Sequence, residues 1–122
     1  MPLELKGQFE GRIPFAFIEL LGRTVKVLVD TGYDGHLMLP QDLIDSLNLT
    51  YLADTKYQTA DGNVAYGSTY LAELAWFGRK EAIEVDSTMG SFALLGMGLL
   101  YGCRLEMEPA KNLLVISGKP AA

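Results

Sequence analysis

Asp30 closes the run Val25-Lys26-Val27-Leu28-Val29 and is followed at once by Thr31 and Gly32. A carboxylate at the end of an apolar strand is costly to bury unless something holds its charge or shares its proton, so this placement marks a candidate site. A hydroxyl at the next position can hydrogen-bond neighbouring backbone. A glycine after it permits a tight turn that brings backbone N–H groups to the carboxylate. Asp-Thr-Gly is thus a way of fixing an acid rigidly, although the same tripeptide also serves in ordinary turns.

The elements that must position this acid are short and rich in Val, Ile, Phe, Tyr and Thr. They are separated by Gly, Asp or Asn, the pattern of hairpins in a small β barrel or sandwich. Gln8 to Leu20 and Arg23 to Val29 read as strands joined by a tight turn at Leu21-Gly22, with Val25, Val27 and Val29 on one face and Lys26 and Leu28 on the other. His36 to Leu39 is a further brief extended piece. A two-turn helix is predicted from Pro40 at a first helical position, Asp42 at the positive end of the dipole, and Leu43, Ile44 and Leu47 at helical spacing.

Tyr51 to Thr59 and Val64 to Leu74 flank Ala60-Asp61-Gly62-Asn63, so Asp-Gly between two β-prone runs predicts a hairpin. Lys80 to Asp86, Phe92 to Leu95, Cys103 to Met107 and Leu113 to Ile116 complete the strands, the last two turning at Glu108 to Asn112. A weak internal echo links Val27-Leu28-Val29-Asp30-Thr31-Gly32 with Phe92-Ala93-Leu94-Leu95-Gly96-Met97. Only the first copy carries the acid.

A chain of 122 residues is one domain's worth, and residues 1–122 are read as a single domain, so any second lobe must come from another chain. With 49% hydrophobic and 20% charged residues, the composition is that of a compact globular protein. A net charge of -5 with no Lys/Arg run disfavours nucleic acid as a partner. No apolar run approaches the roughly 20 residues of a membrane span, so no membrane partner is expected. The N-terminal stretch does not read as a signal peptide, and the single cysteine, Cys103, suits a reducing compartment. The chain is therefore read as soluble and cytoplasmic, and Asn48-Leu49-Thr50 as a chance glycosylation spelling.

Asp30-Thr31-Gly32 after a strand, a later hairpin, and apolar-apolar-Gly before a short helix together resemble the retropepsin-like aspartic proteases, over about Gly7 to Ile116. The small stand-alone microbial members are most similar, with motifs of the form Asp-Thr-Gly-aromatic-Asp/Asn-Gly and Leu-Leu-Gly-Met-Asp-Leu-Leu. Here these read Asp30-Thr31-Gly32-Tyr33-Asp34-Gly35 and Leu94-Leu95-Gly96-Met97-Gly98-Leu99-Leu100. The resemblance implies an all-β fold with one or two short helices, an acid-protease barrel with one lobe per chain. It implies that Asp30 is the catalytic aspartate, that Thr31 ties the two active-site loops together across a dimer, and that Gly32 lies under the substrate. Asp34 would contact substrate main chain, Asp61, Gly62 and Asn63 would form the tip of a flap, and Leu95-Gly96 would be the apolar partner of the catalytic loop. Two positions depart from relatives. Met97 stands where retroviral members have an arginine, and Gly98 stands where the microbial pattern has Asp or Asn, which questions the stiffness of that helix start.

Aspartic-protease chemistry needs one carboxylate to activate water and a second to act as acid toward the carbonyl oxygen and the leaving amine. One catalytic Asp per chain cannot do both, so a symmetric homodimer is expected, with two Asp30 carboxylates sharing a proton near the two-fold axis. The expected activity is endoproteolysis of an extended peptide or protein substrate bound in β fashion, with no cofactor and no metal. The alternative is a retropepsin-fold dimerisation or peptide-binding module without proteolysis.

Other chemistries fit less well. Gly96-Met97-Gly98 with Gly102 lacks the βαβ crossover of a dinucleotide loop. Nucleophilic catalysis would have to use His36 or Cys103. A metal site would have to draw on Asp30, Asp34 and His36, more simply read as turn residues. Trp76-Phe77 reads as strand-end core or dimer surface.

Overall fold

The computed structural model describes residues 4–118. In chain order the elements are β1 (Glu4–Lys6), β2 (Gln8–Glu10), β3 (Ile13–Leu20), β4 (Arg23–Val29), β5 (Leu37–Pro40), α1 (Gln41–Leu47), β6 (Thr50–Gln58), β7 (Val64–Trp76), β8 (Arg79–Thr88), β9 (Ala93–Leu95), α2 (Met97–Leu100), β10 (Arg104–Glu108), a 3₁₀ turn (Pro109–Lys111) and β11 (Leu113–Ser117). The strands form two open sheets, not a closed barrel. One has eight strands in the order β2-β3-β4-β9-β5-β8-β7-β6, and the other three in the order β1-β11-β10.

Alternation decides the core. Val25, Val27 and Val29 of β4 are buried, as are Ala16, Ile18 and Leu20 of β3, and they meet Leu37, Leu39, Ile44, Leu74, Ile83, Val85 and Leu95. The β3–β4 turn takes positive φ at both central residues, Leu21 at 50° and Gly22 at 81°, the geometry whose twist matches a two-residue hairpin. The run Gln8 to Leu20 is broken in the structure at Gly11 (φ 63°), where β2 folds back on β3. Pro40 ends β5 and precedes the helix instead of starting it, because its ψ of 141° is extended.

The two echoing segments lie side by side. β4 and β9 run parallel, pairing Val27 with Ala93, Leu28 with Leu94 and Val29 with Leu95. β5 then pairs antiparallel with β9 and parallel with β8. Both apolar-to-glycine transitions therefore arrive at the same end of the sheet.

The β6–β7 hairpin is only half attached to this frame. β6 pairs with β7 out to Gln58↔Val64, but β8 pairs with β7 only from Thr69 onward, so the outer part is a free two-stranded arm. Its root is tight. A Cβ at Gly67 would stand 2.8 Å from the Ser87 Oγ and 3.0 Å from the Ser87 carbonyl oxygen. The Ser68 N–H donates to the Ser87 hydroxyl at 2.8 Å, and Ser87 is the buried polar residue among the described residues. Ser87→Ala leaves that amide without its acceptor and is expected to cost about 1–3 kcal/mol in urea unfolding. An unchanged midpoint would mean that the bond does not anchor the arm.

Candidate active site

Asp30 is delivered by the end of β4, where its N–H donates to the Leu95 carbonyl at 2.9 Å and continues the β4–β9 pairing. The chain then turns back on the side chain. The Gly32 N–H donates to Asp30 Oδ1 at 2.9 Å, and the Tyr33 N–H donates to the Asp30 carbonyl at 3.3 Å. The carboxylate is thus held by its own loop, half-buried, while Thr31 and Gly32 are exposed.

Behind the loop stands the start of α2. The N–H groups of Gly96, Met97 and Gly98 donate to the carbonyls of His36 (3.0 Å), Tyr33 (2.7 Å) and Gly35 (2.9 Å). The first amides of a helix have no partner inside it, and here the loop supplies them. The contact is close enough to demand glycine twice. A Cβ at Gly96 would lie 2.3 Å from the Gly35 carbonyl oxygen, and one at Gly98 would lie 2.8 Å from His36 Cδ2 and 2.9 Å from the Gly35 carbonyl carbon. Gly98 is exposed, yet its backbone lies so near Gly35 and His36 that a side chain there would force a neighbour to move.

Tyr33 turns inward. Its hydroxyl donates to Asp86 Oδ2 at 2.5 Å, and the other carboxylate oxygen accepts from the Thr69 hydroxyl at 2.9 Å. Burial, and then the hydrogen bond and charge of Asp86, push the Tyr33 hydroxyl far above the ordinary phenol range, so it stays a donor. Tyr33→Phe removes a charge-assisted bond in a part-buried place and is expected to destabilise the fold by about 1–3 kcal/mol. Equal urea midpoints for the two proteins would count against this network.

In front of the loop a cleft of about 340 Å³ opens, with Gly32, Tyr33 and Asp34 on one side and residues 55–58 of β6 on the other, Met38 and Asp86 completing the lining. Beyond it the arm ends in an ordered tip. The Asp61 carboxylate accepts from the Thr59 hydroxyl, from the Asn63 N–H at 3.1 Å and from Asn63 Nδ2 at 2.9 Å. The first two of these bonds hold the exposed Asp61 carboxyl below the usual carboxylate range. Gly62 takes φ 88°, as the turn requires.

The sequence model of the aspartyl protease family matches residues 16–97, about two thirds of the chain, and spans the Asp30 loop, the arm and Gly96. The chain belongs to the aspartyl protease family. No curated protein matches it. Among solved structures, a retropepsin-like aspartic protease from Rickettsia conorii superposes with a TM-score of 0.69 at 21% identity, over 94% of this chain and 90% of the other. The foamy viral protease–reverse transcriptase in complex with an RNA/DNA hybrid gives 0.53 at 15% identity, over 81% of this chain and 11% of the other. The fold of this aspartyl protease family member is retropepsin-like and all-β.

In this family member the residues singled out from sequence fall into three places. Asp30, Thr31, Gly32 and Asp34 share one loop, and Gly32 and Asp34 line the cleft. Asp61, Gly62 and Asn63 sit at the exposed tip of the arm. Leu95, fully buried, and Gly96, packed on Gly35, stand behind the loop and offer no surface to a ligand in the single chain. His36 Nδ1 accepts from the Glu84 N–H at 3.2 Å, and among the described residues no three His, Cys, Asp or Glu side chains gather around one point. Burial raises the Cys103 thiol above its usual range, which keeps it protonated. Trp76 and Phe77 pack edge to face, 4.7 Å between centroids, at the β7–β8 turn. Residues 55–58, Met38 and Asp86 carry no motif and are gathered into the cleft only by the fold. No described helix is long and apolar enough to cross a membrane.

Proposed function

We propose that the chain, as a single domain over residues 1–122, is one half of a homodimeric aspartic endopeptidase. The observation that carries this reading is the Asp30 carboxylate, fixed by the Gly32 N–H at 2.9 Å beside a cleft bounded by a two-stranded arm. Two copies bring two Asp30 carboxylates to one water. One takes the water's proton as its oxygen adds to the peptide carbonyl, and the other gives a proton to the carbonyl oxygen. Collapse of the resulting diol breaks the C–N bond and transfers a proton to the leaving amine. The sum is peptide plus water giving acid plus amine.

Each supporting residue has a part in this reading. Exposed Thr31 meets its copy across the two-fold axis, and Gly32 and Asp34 present main-chain and carboxylate acceptors to an extended substrate. The arm acts as the flap. Its tip at Asp61, Gly62 and Asn63 closes over the peptide, while Leu95 and Gly96 support the loop from behind. The substrate is a peptide or protein segment in extended form, and the compartment is the cytoplasm, which suits the one free thiol.

The direct test is incubation of the purified protein with a mixed peptide library from about pH 4 to pH 8, the span in which a shared-proton pair can act. New termini read by mass spectrometry are the expected result. A dimeric sample that yields none at any pH would overturn the assignment.

A further inference from the structure

Asp86 reaches the cleft from the sheet. On β5 and β8 the core takes Leu37, Leu39 and Val85, so Met38 and Asp86, which pair in register, point to the opposite face. Thr69 of β7 pairs with Asp86, and Ala53 of β6 pairs with Thr69, so alternation brings Thr55 and Tyr57 of the arm onto that same face. Both are half-buried, whereas Lys56 and Gln58 alternate with them and are exposed on the other face of the arm. Gly32, Tyr33 and Asp34 form the facing wall.

The Asp86 carboxylate has hydroxyl donors but no cation. Tyr33 donates to Oδ2 at 2.5 Å and Thr69 to Oδ1 at 2.9 Å, which leaves each oxygen able to accept again. The ion pairs among the described residues join Lys26 to Glu10, Lys80 to Glu73 and Lys111 to Glu108, none of them lining the cleft. Asp34 is exposed on the facing wall and adds a second negative charge, also without an ion pair among the described residues. While water fills the cleft, the half-buried charge of Asp86 is tolerable. An apolar side chain laid over it would strip that water from a charge held by two neutral donors alone, and an acidic one would meet like charge. A lysine or arginine side chain avoids both costs, because its stem lies along Met38 and the rings of Tyr33 and Tyr57 while its head reaches the carboxylate.

We propose that the cleft beside the Asp30 loop selects a basic side chain, with Asp86 as the residue that sets the specificity. This rests on the reading of the chain as a peptidase and names the class of its substrates. They are extended segments with lysine or arginine within about three residues of the cut bond, a reach set by the roughly 3.3 Å rise of an extended chain. The net charge of -5 favours the approach of such segments.

The test starts from a peptide that the native protein cuts in the mixed library, remade with norleucine in place of its lysine so that the stem is kept and the charge removed. The lysine form should be cleaved with a kcat/KM about tenfold to hundredfold higher. In Asp86→Asn that ratio should fall to near one, whereas damage to the fold alone would slow both peptides together and keep the ratio. Should Asp86→Asn fail to fold, the native ratio still decides. Cuts with no lysine or arginine nearby, a native ratio near one, or a ratio unchanged in folded Asp86→Asn would overturn the proposal and leave the peptidase standing. Fluorescence anisotropy with labelled Ser-Val peptides carrying one lysine or one norleucine reads the cleft without the chemistry. Tighter binding of the lysine form with no cleavage of any peptide would remove the peptidase and keep the selection, and equal binding with no cleavage would remove both.

Discussion

Asp30→Asn is expected to abolish peptide cleavage, by about 10³-fold or more in kcat, while the chain folds and associates as before. The two side chains have nearly the same shape, and the amide oxygen can still accept the Gly32 N–H that Asp30 Oδ1 takes at 2.9 Å. What the amide cannot do is accept a proton from water or return one to the leaving amine. The effect should therefore appear in kcat with little change in KM, the mark of a group needed only as the bond breaks. The proposed dimer supplies a sharper form of the same test. An equal amount of Asp30→Asn, allowed to exchange with native protein, should about halve its activity, because half of the native chains then sit in mixed dimers holding one acid. Activity that persists within tenfold in the variant would end the assignment of Asp30, and activity indifferent to mixing would end the shared site.

How much of this was legible in advance follows from the range of the forces involved. The placement of Asp30 depends on alternation in one strand and a turn of three residues, both local, and Val25, Val27 and Val29 are buried as their spacing predicts. The arm was legible for the same reason, since Asp61-Gly62 carries its own turn geometry. The echo between residues 27–32 and 92–97 proved to be a physical pairing of two parallel strands, although nothing in either segment alone specifies parallel contact. The network from Tyr33 to Asp86 to Thr69 joins residues 53 positions apart and left no periodic trace. The space around Gly98 was illegible for a related reason. A glycine replacing a helix-starting acid looks like slackness until the carbonyl of Gly35 is seen where a Cβ would have to be.

Gly96→Ala is expected to be the most damaging small substitution near the site, with the folded state losing about 3 kcal/mol or more. The cause is not backbone preference, since Gly96 has φ -105° and ψ -179°, an extended conformation open to any residue. It is space. The added methyl would stand 2.3 Å from the Gly35 carbonyl oxygen, 2.5 Å from Tyr33 Cδ2 and 2.7 Å from the Tyr33 carbonyl oxygen. Two of these three neighbours are backbone and cannot swing aside, so the loop must lift from α2. Lifting it stretches the bonds from Met97 to Tyr33 (2.7 Å) and from Gly98 to Gly35 (2.9 Å), and it moves Asp30 relative to the cleft. Stability and cleavage should therefore fall together, with a drop in melting temperature of about 10 °C. Gly102→Ala is the matched control, because a Cβ there meets nothing within 4 Å and the change also removes freedom from the unfolded chain. If the two alanine variants melted alike, the close seating of α2 on the Asp30 loop would not be what holds the carboxylate in place.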